Sequence, residues 1–199
     1  MAEVHEPFDG ECRAFAGSSA VERARALAEW AHDGQLDRYG RPVIDHVLGV
    51  AAAVAAWGDE HALVAALLHD AIEKGRATDH DLIAADIHPA AIELVMALTQ
   101  LPGEPVANYL ERCARHPVAL KMKRADLLDK VDPERLRPLA PSAADEIRVR
   151  ITARMALLAA LQLTTPATGS PVEHDELVAA IVPRLGEYSL TKLLEAATS

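Results

Sequence analysis

The chain is poor in sulfur and aromatic carbon, and it has too few cations for its acids. Only two cysteines, Cys12 and Cys113, occur in 199 residues. They lie far apart in no CxxC pattern, so neither a disulfide framework nor a thiolate zinc site is expected. Aromatic residues make up 4% of the chain, which leaves an aliphatic, Ala-rich core to do the burying. Twenty Lys and Arg stand against thirty Asp and Glu, a net charge of −10. That is the opposite of the balance by which nucleic acid or an anionic membrane is attracted. The longest apolar run, Val47 to Gly58, has 12 residues, against the ~20 that cross a bilayer. Glu3, Glu6, Asp9 and Glu11 occupy the N-terminal stretch, where a signal peptide is basic. These absences predict a cytoplasmic protein with neither a membrane nor a nucleic-acid partner.

What is present reads as one all-α globular domain. Half the residues are apolar and a quarter charged, the balance of a chain able to bury a core. Residues 1–17 lack periodicity and read as a tail, 18–163 as the main domain, 164–171 as a linker and 172–199 as a helical appendage. Ser19 and Glu22 fit a capping box ahead of Val21, Ala24, Leu27, Ala28 and Ala31 at helical spacing. After a turn-rich loop over 34–42, the pattern predicts a helix from Ile44 to Trp57 and another from Asp59 to Gly75. Both are nearly all apolar, hence central. Thr78 should cap a short helix, and Pro89 should open one that ends near Gln100. Helices around 106–115, 117–131 and 143–162 follow, the last two separated by a loop holding Pro133, Pro138 and Pro141. No segment alternates as a strand does.

The dipeptide His-Asp occurs four times, at His32, His69, His80 and His174, and burial sorts the copies. His80-Asp81 falls in a first helical turn after Thr78 and His174-Asp175 starts a last helix, so both read as surface caps. His32-Asp33 closes the first helix, where a His is ordinarily a dipole or packing residue. His69-Asp70 differs, because it interrupts a segment that demands burial, where an unpaired carboxylate costs several kcal/mol. A metal ion would satisfy both residues. His46 and Asp126 are similarly odd polar positions on apolar helices, and two imidazoles with two carboxylates suit Mn, Fe, Zn or a similar divalent ion. The competing reading makes His46 a satisfied core histidine and Asp126 an ion-pair partner of Lys123 or Lys130.

Helical spacing puts Glu73 one turn beyond His69 and Lys74 one turn beyond Asp70. Glu73 could orient a water at the metal, or it could be a solvated residue at a helix end. Lys121, Lys123, Arg124, Lys130, Arg135 and Arg137 make a basic island around Asp126. Lys123 and Lys130, with Arg38 and Arg41 in the loop before His46, could clamp a phosphate-bearing substrate. Individually, each could equally pair with a neighbouring acid.

Four motifs in order, Ala31-His32-x-Gly34-Gln35, Gly40-x-Pro42-x-Ile44-x-His46, Leu67-Leu68-His69-Asp70-x-x-Glu73 and Lys123-x-Ala125-Asp126, resemble the HD superfamily of metal-dependent phosphohydrolases. Within it, residues 20–160 are similar to the hydrolase domain of RelA/SpoT-type alarmone enzymes, in their small stand-alone bacterial form. The resemblance implies His46, His69, Asp70 and Asp126 as ligands, usually for Mn²⁺, and Glu73 as the residue handling the attacking water. It implies a phosphorylated nucleotide as substrate, most closely the 3′-diphosphate of (p)ppGpp, and Arg38, Arg41, Lys74, Lys123 and Lys130 are its candidate contacts. Three departures stand out: Lys74 replaces an Asp of the family pattern, Lys130 an Asn and Val47 a Pro. Two alternatives therefore stay open: hydrolysis of another nucleotide, or a degenerate module that binds a nucleotide without turnover.

Overall fold

The computed structural model describes Phe8 and residues 17–164. The remainder of the expected tail, the expected linker beyond Thr164 and the appendage over 172–199 lie outside the described residues. Among those described there are nine helices: α1 (Ala20–Ala31), α2 (Val43–Ala55), α3 (Glu60–Leu68), α4 (Asp79–Ala84), α5 (Pro89–Leu98), α6 (Val106–Ala114), α7 (Pro117–Lys130), α8 (Pro133–Leu136) and α9 (Pro141–Thr164). The fold is all-α, as expected, with one isolated bridge between Leu36 and Pro42 among the described residues. The chain forms two compact units, Met1–Thr99 and Gln100–Ser199.

In the first unit α3 is the hub, packed by α1, α2 and α5. Its sequence explains why: Ala62, Val64, Ala65, Ala66, Leu67 and Leu68 are all buried, and a helix apolar on every side has to be enclosed. Asp59 caps it by accepting from the Ala62 amide at 3.0 Å. α1 begins with the expected capping box between Ser19 and Glu22. α2 is less central than its composition predicts. Val47, Val50, Ala51 and Val54 are buried, whereas Ala52, Ala53, Ala55 and Ala56 face water. Alanine explains this, since it favours a helix without needing enclosure.

α4 carries the second capping box, Thr78 with Asp81. Asp81 is only 4% exposed, where the sequence suggested a water-facing cap. Its carboxylate is compensated by donors, accepting from the Phe8 amide at 3.0 Å, the Thr78 amide at 2.8 Å and the Thr78 hydroxyl at 2.7 Å. Phe8 thereby anchors a point of the N-terminal segment, and its ring meets Trp30 edge-on at 5.2 Å.

The hub helix stops at Leu68 and not near Gly75. The His69 ring explains the early end: its Nδ1 lies 2.8 Å from the Ala66 carbonyl oxygen, the acceptor that a continuing helix would offer to the Asp70 amide. The chain then turns, with Ala71 donating to Leu68 and both Lys74 and Gly75 donating to the Asp70 carbonyl. The Arg76 amide donates to Ala31 at 3.2 Å, which ties this turn to the end of α1.

In the second unit α6 and α7 pack on α9 and on each other. α6 buries Tyr109, Leu110, Cys113 and Ala114 along one face. α7 starts with Pro117 behind a His116 cap and buries Ala119, Leu120, Met122 and Leu127, together with the charged Lys123 and Asp126. The expected proline-rich loop contains the single turn of α8, capped by the Asp132 carboxylate.

Gly75 gives this architecture a sensitive point. A Cβ there would fall inside contact distance of the Ala71 carbonyl oxygen and 3.1 Å from the Ala31 carbonyl oxygen. Neither backbone oxygen can yield cheaply. Gly75→Ala should lower stability by about 1–3 kcal/mol, the range for an overpacked site. Urea unfolding measures it, and an unchanged midpoint would show that the turn adapts freely.

Candidate functional site

His46 enters from the loop that joins α1 to α2. Positive φ at Gly34 (68°) and Gly40 (78°) lets the loop reverse direction. Between them Asp37 organises the backbone, accepting from the Tyr39 amide at 2.8 Å and the Arg41 amide at 3.1 Å. The Arg41 guanidinium also grips Asp37 Oδ2 through Nε at 3.0 Å and Nη2 at 2.7 Å. Burial alone would raise the Asp37 pKa, but these donors and the Arg41 charge hold it below its usual value. Arg41, expected at a phosphate, is thus engaged in building the loop, while Arg38 is exposed.

His69 follows from the end of α3. A carbonyl oxygen can only accept, so the 2.8 Å contact with Ala66 puts the proton of the neutral ring on Nδ1. The Nε2 lone pair then faces Asp70, with Oδ2 at 3.5 Å. His46 Nε2 approaches the same Oδ2 at 3.8 Å, and the two rings meet edge-on with centroids 5.3 Å apart. Two imidazole nitrogens and a carboxylate oxygen therefore converge, with Asp70 and His69 buried and His46 partly so. This nitrogen and oxygen set fits a borderline divalent ion, and a ligating His commonly has its other nitrogen fixed by a carbonyl, as here.

Lys74 reaches the same carboxylate, with Nζ 2.9 Å from Asp70 Oδ1 and 2.7 Å from Oδ2. The one-turn relation expected between these residues survives because the Lys74 amide donates to the Asp70 carbonyl at 2.9 Å. Glu73, one position earlier in the turn, is exposed.

Sequence reasoning underrated His32. It is 2% exposed, and its Nδ1 lies 2.9 Å from Gln35 Oε1. The Gln35 amide nitrogen donates to the Lys74 carbonyl at 2.7 Å, which leaves Oε1 as acceptor and places the His32 proton on Nδ1. Nε2 is buried, with no hydrogen-bond partner among the described residues. Burial depresses the His32 pKa, with the Gln35 hydrogen bond and the Asp70 charge pulling the other way. Its position at the end of a helix gave no hint of this; the signal was the Gln35 three residues later.

In the second unit Asp126 is 1% exposed and carries two ammonium groups. Lys123 Nζ is 2.7 Å from Oδ2 and Lys130 Nζ 2.5 Å from Oδ1. Lys123 is itself buried, and its Nζ lies 4.9 Å from the Tyr109 ring centroid. Burial disfavours the Lys123 charge, but Asp126 more than offsets this and its pKa lies well above the ordinary value. The same enclosure pushes the Cys113 thiol up to about 11. Asp126 thus holds both of the lysines that its spacing on α7 brings within reach.

The chain is 35% identical over 148 residues, 69% of its length, to a probable GTP pyrophosphokinase of Mycobacterium leprae. It is 31% identical over 120 residues, 56% of its length, to a guanosine-3′,5′-bis(diphosphate) 3′-pyrophosphohydrolase of Aquifex aeolicus. Over 129 residues, 60% of its length, it is 33% identical to a bifunctional (p)ppGpp synthase/hydrolase RelA of Mycobacterium tuberculosis. It spans 18%, 17% and 18% of these relatives respectively. A solved structure of a metazoan ortholog of SpoT, which hydrolyzes ppGpp and plays a role in starvation responses, matches with a TM-score of 0.57 at 21% identity. The match covers 85% of this chain and 97% of that one, a likeness of fold. A family profile described as an HD domain matches residues 24–180, a span that takes in His46, the His69-Asp70 pair and Asp126, and on that match the chain belongs to the HD-domain family.

Proposed function

We propose that the chain is a divalent-metal-dependent phosphohydrolase acting on the 3′-diphosphate of (p)ppGpp, with manganese as its ion. The observation that carries this reading is the approach of His46 Nε2 and His69 Nε2 to one buried oxygen of Asp70. The proposed ligands are His46, His69, Asp70 and Asp126, the last on the strength of the ordered motifs and its buried carboxylate. The names of the Aquifex and Mycobacterium tuberculosis relatives support the substrate.

When bound, such an ion supplies positive charge that polarises a phosphoryl oxygen and makes water a better nucleophile at neutral pH. The protein supplies the rest. Glu73 holds the attacking water and takes its proton on a carboxylate oxygen. The water oxygen bonds to phosphorus and the bond from phosphorus to the ribose 3′ oxygen breaks, that oxygen takes a proton from solvent, and GDP or GTP and pyrophosphate leave. Arg38, Arg41, Lys74, Lys123 and Lys130 are the cations proposed to balance the phosphates, Lys123 from its place on Asp126. The second reading, a nucleotide-binding module without turnover, is favoured by the Lys74 ammonium on Asp70.

Manganese-loaded protein should release pyrophosphate from (p)ppGpp, lose that activity on chelation and regain it on reloading. A panel that includes NADPH and nucleoside phosphates tests the substrate class, and no release from any member would overturn the hydrolase reading. Glu73→Gln should lower kcat by about 10²–10⁴-fold, the usual share of a general base, with manganese affinity by calorimetry unchanged. Nucleotide binding that survives this substitution, with turnover near zero in both proteins, would instead establish the binding module. His69→Ala should abolish manganese binding in the same calorimeter, and retained binding would remove His69 from the ligand set.

A further inference from the structure

Lys74 holds both oxygens of Asp70, and one of them, Oδ2, is the oxygen that His46 and His69 approach. An ammonium therefore covers the carboxylate that the proposed ion needs. A monovalent N–H donor and a divalent ion compete for the same lone pairs, and their like charges repel at such short range.

The two partners differ in how freely they can part. The Asp70 side chain is 5% exposed, whereas that of Lys74 is 41% exposed. The Lys74 backbone is fixed at both ends, its amide on the Asp70 carbonyl at 2.9 Å and its own carbonyl accepting from Gln35 at 2.7 Å. Only the four-carbon stem is left to move. It can swing from Asp70 into the adjacent solvent without disturbing the turn, while its anchored Cα keeps the ammonium beside the site.

We infer that Lys74 is an exchangeable cation: it neutralises Asp70 in the metal-free protein, is displaced when the divalent ion binds, and then pairs with a phosphate oxygen of the substrate. The inference rests on the metal reading of His46, His69 and Asp70. It makes Lys74 a substrate-binding residue that opposes metal loading, so its removal moves two measurable quantities in opposite directions. A residue that only braced the turn would weaken both together.

Titrating Mn²⁺ into the metal-free full chain by calorimetry, for the wild type and for Lys74→Met, tests the first half. The variant should bind manganese about tenfold more tightly, because no ammonium has to be displaced from Asp70 or is left beside the incoming ion. Its melting temperature should start lower, because Asp70 loses its counter-charge, and rise further on adding manganese. The second half is read in steady-state kinetics on (p)ppGpp, where KM should rise about tenfold with a smaller change in kcat. Lys74→Gln, which keeps a hydrogen bond to Asp70 but no charge, should behave likewise and serves if the methionine variant does not fold. Equal or weaker manganese binding in the folded variants would overturn the competition, and an unchanged KM would overturn the phosphate contact. Absence of manganese binding in the wild type and both variants would overturn the metal reading itself.

Discussion

Asp70 is a carboxylate that the fold takes almost wholly out of water, its side chain 5% exposed, and the surrounding structure is arranged around that cost. Removing an ionised carboxylate from water costs several kcal/mol unless charge or hydrogen bonds replace the solvent. The Lys74 ammonium, from the turn after α3, supplies charge and hydrogen bonds to both oxygens, while His46 from the start of α2 and His69 from the end of α3 bring their ring nitrogens towards the same carboxylate. Each depends on a local backbone device. The turn exists because the His69 ring takes the Ala66 carbonyl, and it is fastened to α1 by the Arg76 amide on Ala31 and by Gln35 on the Lys74 carbonyl. Gln35 in turn fixes the His32 tautomer. A few hydrogen bonds thus orient the His69 and His32 rings and fix the backbone that carries Lys74.

Asp126 meets the same cost in a different way. Its two lysines lie three residues before and four residues after it on α7, so the helix itself delivers them to the carboxylate. Their exposures separate their roles. The Lys123 side chain is 9% exposed and lies over the Tyr109 ring, so it is part of the core of its unit. Lys130 is 26% exposed and Lys74 is 41% exposed. An ammonium at the edge can exchange one anion for another, because water receives it during the exchange. One that is enclosed cannot leave without exposing Asp126 to an uncompensated interior.

Much of this was legible in the sequence because it depends on spacing. The capping box of Ser19 with Glu22, three residues apart, and the Thr78 cap are local patterns, and Pro89 opens a helix for the reason its ring favours. The His69-Asp70 pair stood out because burial was readable from its neighbours. What escaped the sequence depended on contacts across the chain or on a side chain competing with the backbone. The early end of α3 follows from one imidazole occupying one carbonyl. The burial of His32 follows from Gln35 reaching a carbonyl 39 residues away. The enclosure of Asp81 follows from Phe8, 73 residues earlier. Spacing also showed that Lys74, Lys123 and Lys130 could reach carboxylates or a phosphate, but not which they hold when no anion competes.

That last ambiguity has a physical resolution in the charge balance. The chain carries a net charge of −10, yet both aspartates proposed as ligands already hold ammonium groups, Asp70 that of Lys74 and Asp126 those of Lys123 and Lys130. An acidic surface repels a polyphosphate at a distance, and only local surplus positive charge can hold it at close range. If the lysines served only to neutralise buried carboxylates, one for each would suffice and a divalent ion would be redundant. The proposed divalent ion, added to a carboxylate already neutralised, would leave a surplus of positive charge, and a small polyanion such as a nucleotide diphosphate would restore the balance.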